Sequence, residues 1–282
     1  MWRLFEPVHA VTYFAPAART AYEEAGLRGF WRGYFAGRAA PLGPVGPGPV
    51  VATFFGFAPG MVARAMPDVW RRLEPAGVLR ARLDGARRVL RALPDLPPAR
   101  VSEATELLRA AAGGIDPAGR PLAAANADLP WPDDDLGVLW QAATVLREHR
   151  GDGHVAALLV HGLDGLESLV WRAAVDGDRT VLQRARGWTD EEWAAGQERL
   201  VDRGWLTPDG RPTPVAIAAR DDIERCTDAL AEAPWRRLGT ERTERLAGLL
   251  GPIAVAAAGV LPYPNAIGLA PPAGSGRAAA PS

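Results

Sequence analysis

A chain of 282 residues, 48% hydrophobic and 23% charged, has the length for a sizeable core and the composition of a soluble globular protein. Its net charge of −1 supplies no overall basic excess for phosphate binding, and its single cysteine, Cys226, excludes an intrachain disulfide and a Cys-based zinc site. No apolar run approaches the ~18–20 residues that cross a bilayer, and MWRLFEPVHAV places Glu6 and a proline where a secretory signal needs an apolar stretch, so a cytoplasmic location is expected.

The first block is expected to be mostly helical over residues 1–93. AARTAYEEAGL and GFWRGYFAGRAA read as helices, the second rich in aromatics. LGPVGPGPV (42–50) reads as a Gly/Pro loop, and VVATFFGF (50–57) leans to a strand by its length and β-branching. EPAGVLRARLDGARRVLRAL is an amphipathic helix with Val78, Leu79, Leu83, Leu90 and Leu93 towards one face. PDLPPA (94–99) punctuates the chain. A helix over 101–112 and a long Gly/Pro/Asn-rich connection follow, so a connector is assigned to 94–131.

The second domain is assigned to 132–250, including helices at its C-terminal end. WPDDDLGVLWQAATVLREHR opens with acids suited to a helix N-terminus, and Leu136, Leu139, Trp140, Ala143 and Leu146 follow at helical spacing. Gly151-Asp152-Gly153 is expected to break that helix, with a new one from His154 to His161. Asp164 then caps the next helix. Thr189 with Glu192 forms a capping box, and Gly204 is a natural stop. WLTPDGRPT reads as two short strands around a Pro-Asp-Gly turn, before a long helix marked by Val215, Ile217, Ile223 and Leu230. Three short helices, a hairpin and a long helix is the order of a winged helix-turn-helix. The tail 271–282 is Ala/Pro/Gly/Ser-rich and expected to be disordered.

ERLVDRGWLTPDGRPTPVAIAARDDIE, with its helix ending in Arg-Gly-hydrophobic, short wing and Thr-led helix, resembles the winged-helix module of the MarR type over roughly 136–232. Over nearly its full length, through EPVHAVTYFAP, GFWRGYFAGRAAPLGPV, FFGFAPGMVARAMPDVW and REHRGDGH, the chain resembles an actinobacterial family of helix-turn-helix, MarR-like proteins with no settled activity. The resemblance implies a mainly α fold: a winged helix-turn-helix C-terminal domain behind a mostly helical N-terminal domain, for which a degenerate winged helix is an alternative.

In such a module residues 190–203 would enter the major groove. They carry Asp190, Glu191, Glu192, Glu198 and Asp202 against Arg199 and Arg203, a net of −3, with acids at the end that approaches base edges. DNA contact would fall to Arg184, Arg186 and Arg211. DNA binding is therefore disfavoured, since a winged scaffold can keep its fold while its function moves.

Three places could carry chemistry. In REHRGDGH (147–154), His149, Asp152 and His154 are candidate acid/base groups, with Glu148 and Arg150 as ligand contacts. Its spacing is not the H-x-x-x-H that sets two imidazoles on one helix face, so no metal is assigned; the bland alternative is a polar turn capped by Asp152. In EPVHAVTYF (6–14), Glu6, His9 and Tyr13 share a helix face and could polarise a hydroxyl or carbonyl, or His9 is a core histidine. The aromatic group Phe30, Trp31, Tyr34, Phe35, Phe54, Phe55 and Phe57, with Arg32 and Arg38, is core or the wall of an apolar pocket. His161 reads as a core or interface histidine. No phosphate-binding glycine motif and no G-x-S-x-G elbow occurs.

The expected function is small-molecule binding on a MarR-like scaffold, with a pocket between the N-terminal domain and the EHRGDGH corner. An enzyme using His/Tyr/Asp acid-base or metal-assisted chemistry is the first alternative, and a dimeric MarR-type repressor the second. The partners expected are a small-molecule ligand and a second copy in a homodimer, with no membrane; no cofactor is assigned.

Overall fold

The computed structural model describes residues 1–263 and residue 265. The first half of the chain runs α1 (Trp2–Phe14), α2 (Pro16–Glu24), α3 (Phe30–Ala39), α4 (Pro47–Phe54), α5 (Pro59–Ala63), α6 (Asp68–Arg72), α7 (Pro75–Arg91), α8 (Pro98–Ala112) and α9 (Pro121–Ala127). The second half runs α10 (Asp135–Val160), α11 (Gly165–Val175), α12 (Arg179–Arg186), α13 (Asp190–Asp202), α14 (Pro214–Leu230), α15 (Ala233–Leu238) and α16 (Thr240–Ala258). Among the described residues the only β-structure is an isolated bridge between Leu206 and Pro212. The tail at 271–282 lies outside the described residues.

α10 is the axis. Its first half packs with α1, α7, α8, α15 and α16 in a core that includes Val8, Leu108, Leu139, Trp140, Leu250 and Ile253. A second core, aromatic, joins α2–α7 through Tyr34, Phe35, Phe54 and Phe57. The end of α10 enters a third with α11–α14, built on Leu163, Trp171, Trp193, Leu200 and Ile223.

Local signals set this third unit. Asp164 and Glu167 form a capping box on α11, and Thr189 and Glu192 form another on α13. Gly187 (φ 75°) takes the left-handed turn between α12 and α13, a conformation that favours glycine. The expected hairpin is reduced to the single bridge. Thr207 accepts Arg211 only through its side chain and donates its N–H to the Arg211 carbonyl (2.9 Å), and Thr213 donates to the Trp205 carbonyl (3.0 Å). Pro212 has no N–H to extend the ladder.

Two further expectations are corrected. The 50–57 stretch is not a strand, and 47–50 is not loop: Pro47 and Pro49 enter the first turn of α4, where amide hydrogens have no helical partner, and the apolar run continues as helix to Phe54 before the chain turns at Phe55. Gly151-Asp152-Gly153 does not break α10, which runs unbroken for 26 residues. Each glycine costs a helix up to about 1 kcal/mol relative to alanine, but packing uses the space. A Cβ on Gly153 would lie 2.6 Å from an Arg120 guanidinium nitrogen and 3.2 Å from the Leu230 Cβ. That guanidinium donates to the carbonyls of His149 and Leu230, tying α10 to α14.

Residues 55–61 seat on the turn before α13. Ala58 N–H donates to the Arg186 carbonyl (2.9 Å) and Trp188 Nε1 to the Gly56 carbonyl (3.0 Å). Gly165 lies so close to this segment that a Cβ there would stand 2.1 Å from the Phe55 carbonyl oxygen.

Candidate functional site

Glu6, His9 and Tyr13 fall on one face of α1, as their spacing predicts, and meet α10 and α3 inside the protein. Glu148, 1% exposed, is gripped by Arg38 through two bonds (2.9 and 3.0 Å) and by Arg147 (2.8 Å). Arg147 also approaches Glu6 (3.6 Å), which accepts from Trp2 Nε1 (2.9 Å). A polar chain thus runs Trp2, Glu6, Arg147, Glu148, Arg38, and ends where the Arg38 guanidinium lies 4.3 Å from the Phe54 ring centroid. Burial opposes ionisation of Glu148, but Arg147 and Arg38 overcome it and hold its carboxyl well below the usual range. Arg38, although buried, is held in its charged form by Glu148.

His9 Nδ1 lies 3.0 Å from Thr144 Oγ1. The Thr144 hydroxyl hydrogen is committed to the Trp140 carbonyl (2.9 Å), so its oxygen accepts from His9 Nδ1–H and Nε2 carries the lone pair. The same logic applies to His154: Thr227 donates to the Ile223 carbonyl (2.7 Å) and accepts from His154 Nδ1 (3.0 Å). Burial, reinforced by Arg147, lowers the His9 pKa well below its ordinary value. Tyr13 stands 5.2 Å from His9 and 4.9 Å from Tyr34, ring to ring, and its hydroxyl is buried without a hydrogen-bond partner. Burial and the nearby Glu148 carboxylate raise its pKa. Phe30 and Trp31 complete this aromatic wall against Tyr34 (6.1 and 5.7 Å).

The remaining residues of 147–154 separate around α10. Asp152 accepts the Ala123 N–H (2.9 Å), so it caps α9 rather than the helix it sits in. Burial pushes its pKa up to about 6 against the opposing backbone N–H bonds. His154 faces α14, and burial, then Arg150, push its pKa down to about 4. Phe55 is not in the aromatic wall. It ends α4 in a left-handed conformation (φ 58°) and turns towards the third core.

His149 and Arg150 border a cleft of about 310 Å³ between α1, α10, α14 and α15. Trp2, Phe5 and Trp235 supply aromatic walls, Phe5 and Trp235 stacking at 5.9 Å. Arg150 lies 5.3 Å from the Trp2 ring centroid and is paired with Glu224 and Asp228 (2.9 and 2.8 Å). His149 is 1% exposed, and its Nε2 is buried with no hydrogen-bond partner. Burial and the Arg120 guanidinium push its pKa down to about 4, so the imidazole is uncharged at neutral pH. Sequence reasoning missed Trp2, Arg147 and Trp235. The i,i+4 pair Trp2–Glu6 was a usable signal for the first, whereas Trp235 joins the cleft only through tertiary packing.

The exposed face of α13 keeps the acidic character expected of it. Arg199 turns away to Asp164 and Glu167 (2.8 Å each), and Arg203 to Glu167 (3.2 Å) and the carbonyls of Gly162 and His161. Arg186 lies 4.3 Å from the Phe57 ring centroid, Arg211 pairs with Asp209, and Arg184 is exposed. Among the described residues no three of His, Cys, Asp and Glu converge as metal ligands, and no helix is long and apolar enough to cross a membrane.

A sequence model of a helix-turn-helix family matches residues 1–262. No curated protein and no solved structure matches the chain.

Proposed function

The chain belongs to this helix-turn-helix family, and from that premise we propose that it is a small-molecule-binding protein whose DNA contact is weak or lost. One observation carries the reading: a cleft of ligand size, walled by Trp2, Phe5 and Trp235, borders a buried His149 whose Nε2 has no partner. Ligand sites combine such apolar walls with a few placed polar groups, and an unpaired buried nitrogen costs about 1–3 kcal/mol until something bonds it.

The MarR-type repressor reading is weaker. The reading helix presents acids to solvent, both of its arginines are engaged with α11 and the end of α10, and residues 55–61 flank its N-terminal end. The enzyme reading draws on His9, Tyr13, His149, Asp152 and His154; of these only His149 borders the cleft, with no second acid/base candidate beside it there, which favours binding over catalysis.

Thermal melting tests this. A small-molecule extract of the source cells, freed of macromolecules, is expected to raise the melting temperature, because a ligand that binds only the folded state stabilises it. Random duplex DNA at low salt is expected to leave it unchanged. Stabilisation by DNA that fades with salt, and none by the extract, would overturn the proposal.

A further inference from the structure

The chemistry of the cleft limits what it can hold. Resting on the pocket reading above, we infer that the cleft takes a small, flat, uncharged ring system of one or two fused rings, with a hydrogen-bonding group that reaches His149. The size follows from about 310 Å³, the small end of ligand cavities. Flatness follows from the walls. Trp2, Phe5 and Trp235 offer ring faces and edges, against which aromatic ligands gain both area and offset stacking.

Neutrality follows from the charges. Arg150 is spent on Glu224, Asp228 and the Trp2 ring, and Glu232 on the rim pairs with Arg236 (3.4 Å). Each charged side chain that lines the cleft, Arg150, Asp228 and Glu232, already has an ion-pair partner, so a charged ligand would give up its hydration without meeting an unpaired side-chain counter-ion. His149 is a neutral imidazole, able to donate or accept according to its tautomer, so it meets a hydroxyl or a ring nitrogen without an ionic partner. Its unpartnered Nε2 is the feature that a purely structural role leaves unexplained.

Calorimetric titration of the full chain with three probes of matched ring size tests the inference: 2-naphthol (neutral), 2-naphthoate (anionic) and N-methylquinolinium (cationic). The neutral probe is expected to bind at least about tenfold more tightly than either ion. In His149→Leu its affinity is expected to fall several-fold, and in Trp235→Leu to be lost, with circular dichroism confirming that both variants fold. The charge series on the unaltered protein needs no variant at all. Equal or tighter binding of either ion would overturn the neutral class while leaving the pocket standing. If none of the three binds, the ring-system class is wrong; the pocket itself falls only if the cell extract also fails to stabilise the protein.

Discussion

Replacing Glu148 by glutamine is expected to lower folding stability by about 3–5 kcal/mol, the usual cost of removing one partner from a buried ion pair. Among the described residues the carboxylate is the acid paired with Arg38, and it shares Arg147 with Glu6. Its loss strands a guanidinium that is 9% exposed against the Phe54 ring. At the 2–4 °C per kcal/mol that holds for domains of roughly this size, the melting temperature falls by roughly 10 °C. The double variant Arg38→Met/Glu148→Leu is expected to recover much of this, because an apolar pair of similar volume leaves no charge stranded and Arg147 keeps Glu6. A Glu148→Gln protein that melts within a degree of the parent would mean that this network adds nothing to the fold.

Acid is the second large effect. His149 and His154 titrate near 4 in the folded chain, and His9 is also held well below its ordinary value, whereas unfolded histidines take up a proton near 6.5. Between those limits unfolding takes up protons at these imidazoles, so their contribution is present above about pH 6.5 and is lost as pH falls. Asp152 acts in the opposite sense: with its pKa raised to about 6, its contribution is present below the ordinary aspartate pKa and is lost as pH rises through 6. Three histidines outweigh one aspartate. The net slope is on the order of 2 kcal/mol per pH unit near pH 5, with stability rising with pH. Melting temperatures measured from pH 4.5 to 7.5 should climb steeply up to about pH 6.5, and His154→Gln should flatten the climb. A profile level between pH 5 and 6.5 would contradict the buried, neutral state of these rings.

Much of the helix-turn-helix unit was legible because its signals are local. Asp164 as a cap, Thr189 with Glu192 as a capping box, and Gly204 as a left-handed stop set helix ends within a few residues of themselves. The shared face of Glu6, His9 and Tyr13 was legible for the same reason, being a matter of helical period. What local chemistry misread is where distant packing decides. Gly153 looks like a breaker until Arg120 and Leu230 press against α10, whereas VVATFFGF is misread although its signal is local, Pro47 starting the helix three residues upstream. The candidate residues of 147–154 divided for a related reason. Once α10 is unbroken, neighbours in sequence point to different sides, so Glu148 joins His9, His149 borders the cleft, Asp152 caps α9 and His154 meets α14.

Occupancy of the cleft by a small molecule can be read directly, by native mass spectrometry of the full chain purified from its own source. The predicted result is a discrete small-molecule adduct on the wild-type protein that is absent from Trp235→Leu prepared alongside it. The bare polypeptide mass for the wild type would contradict small-molecule binding.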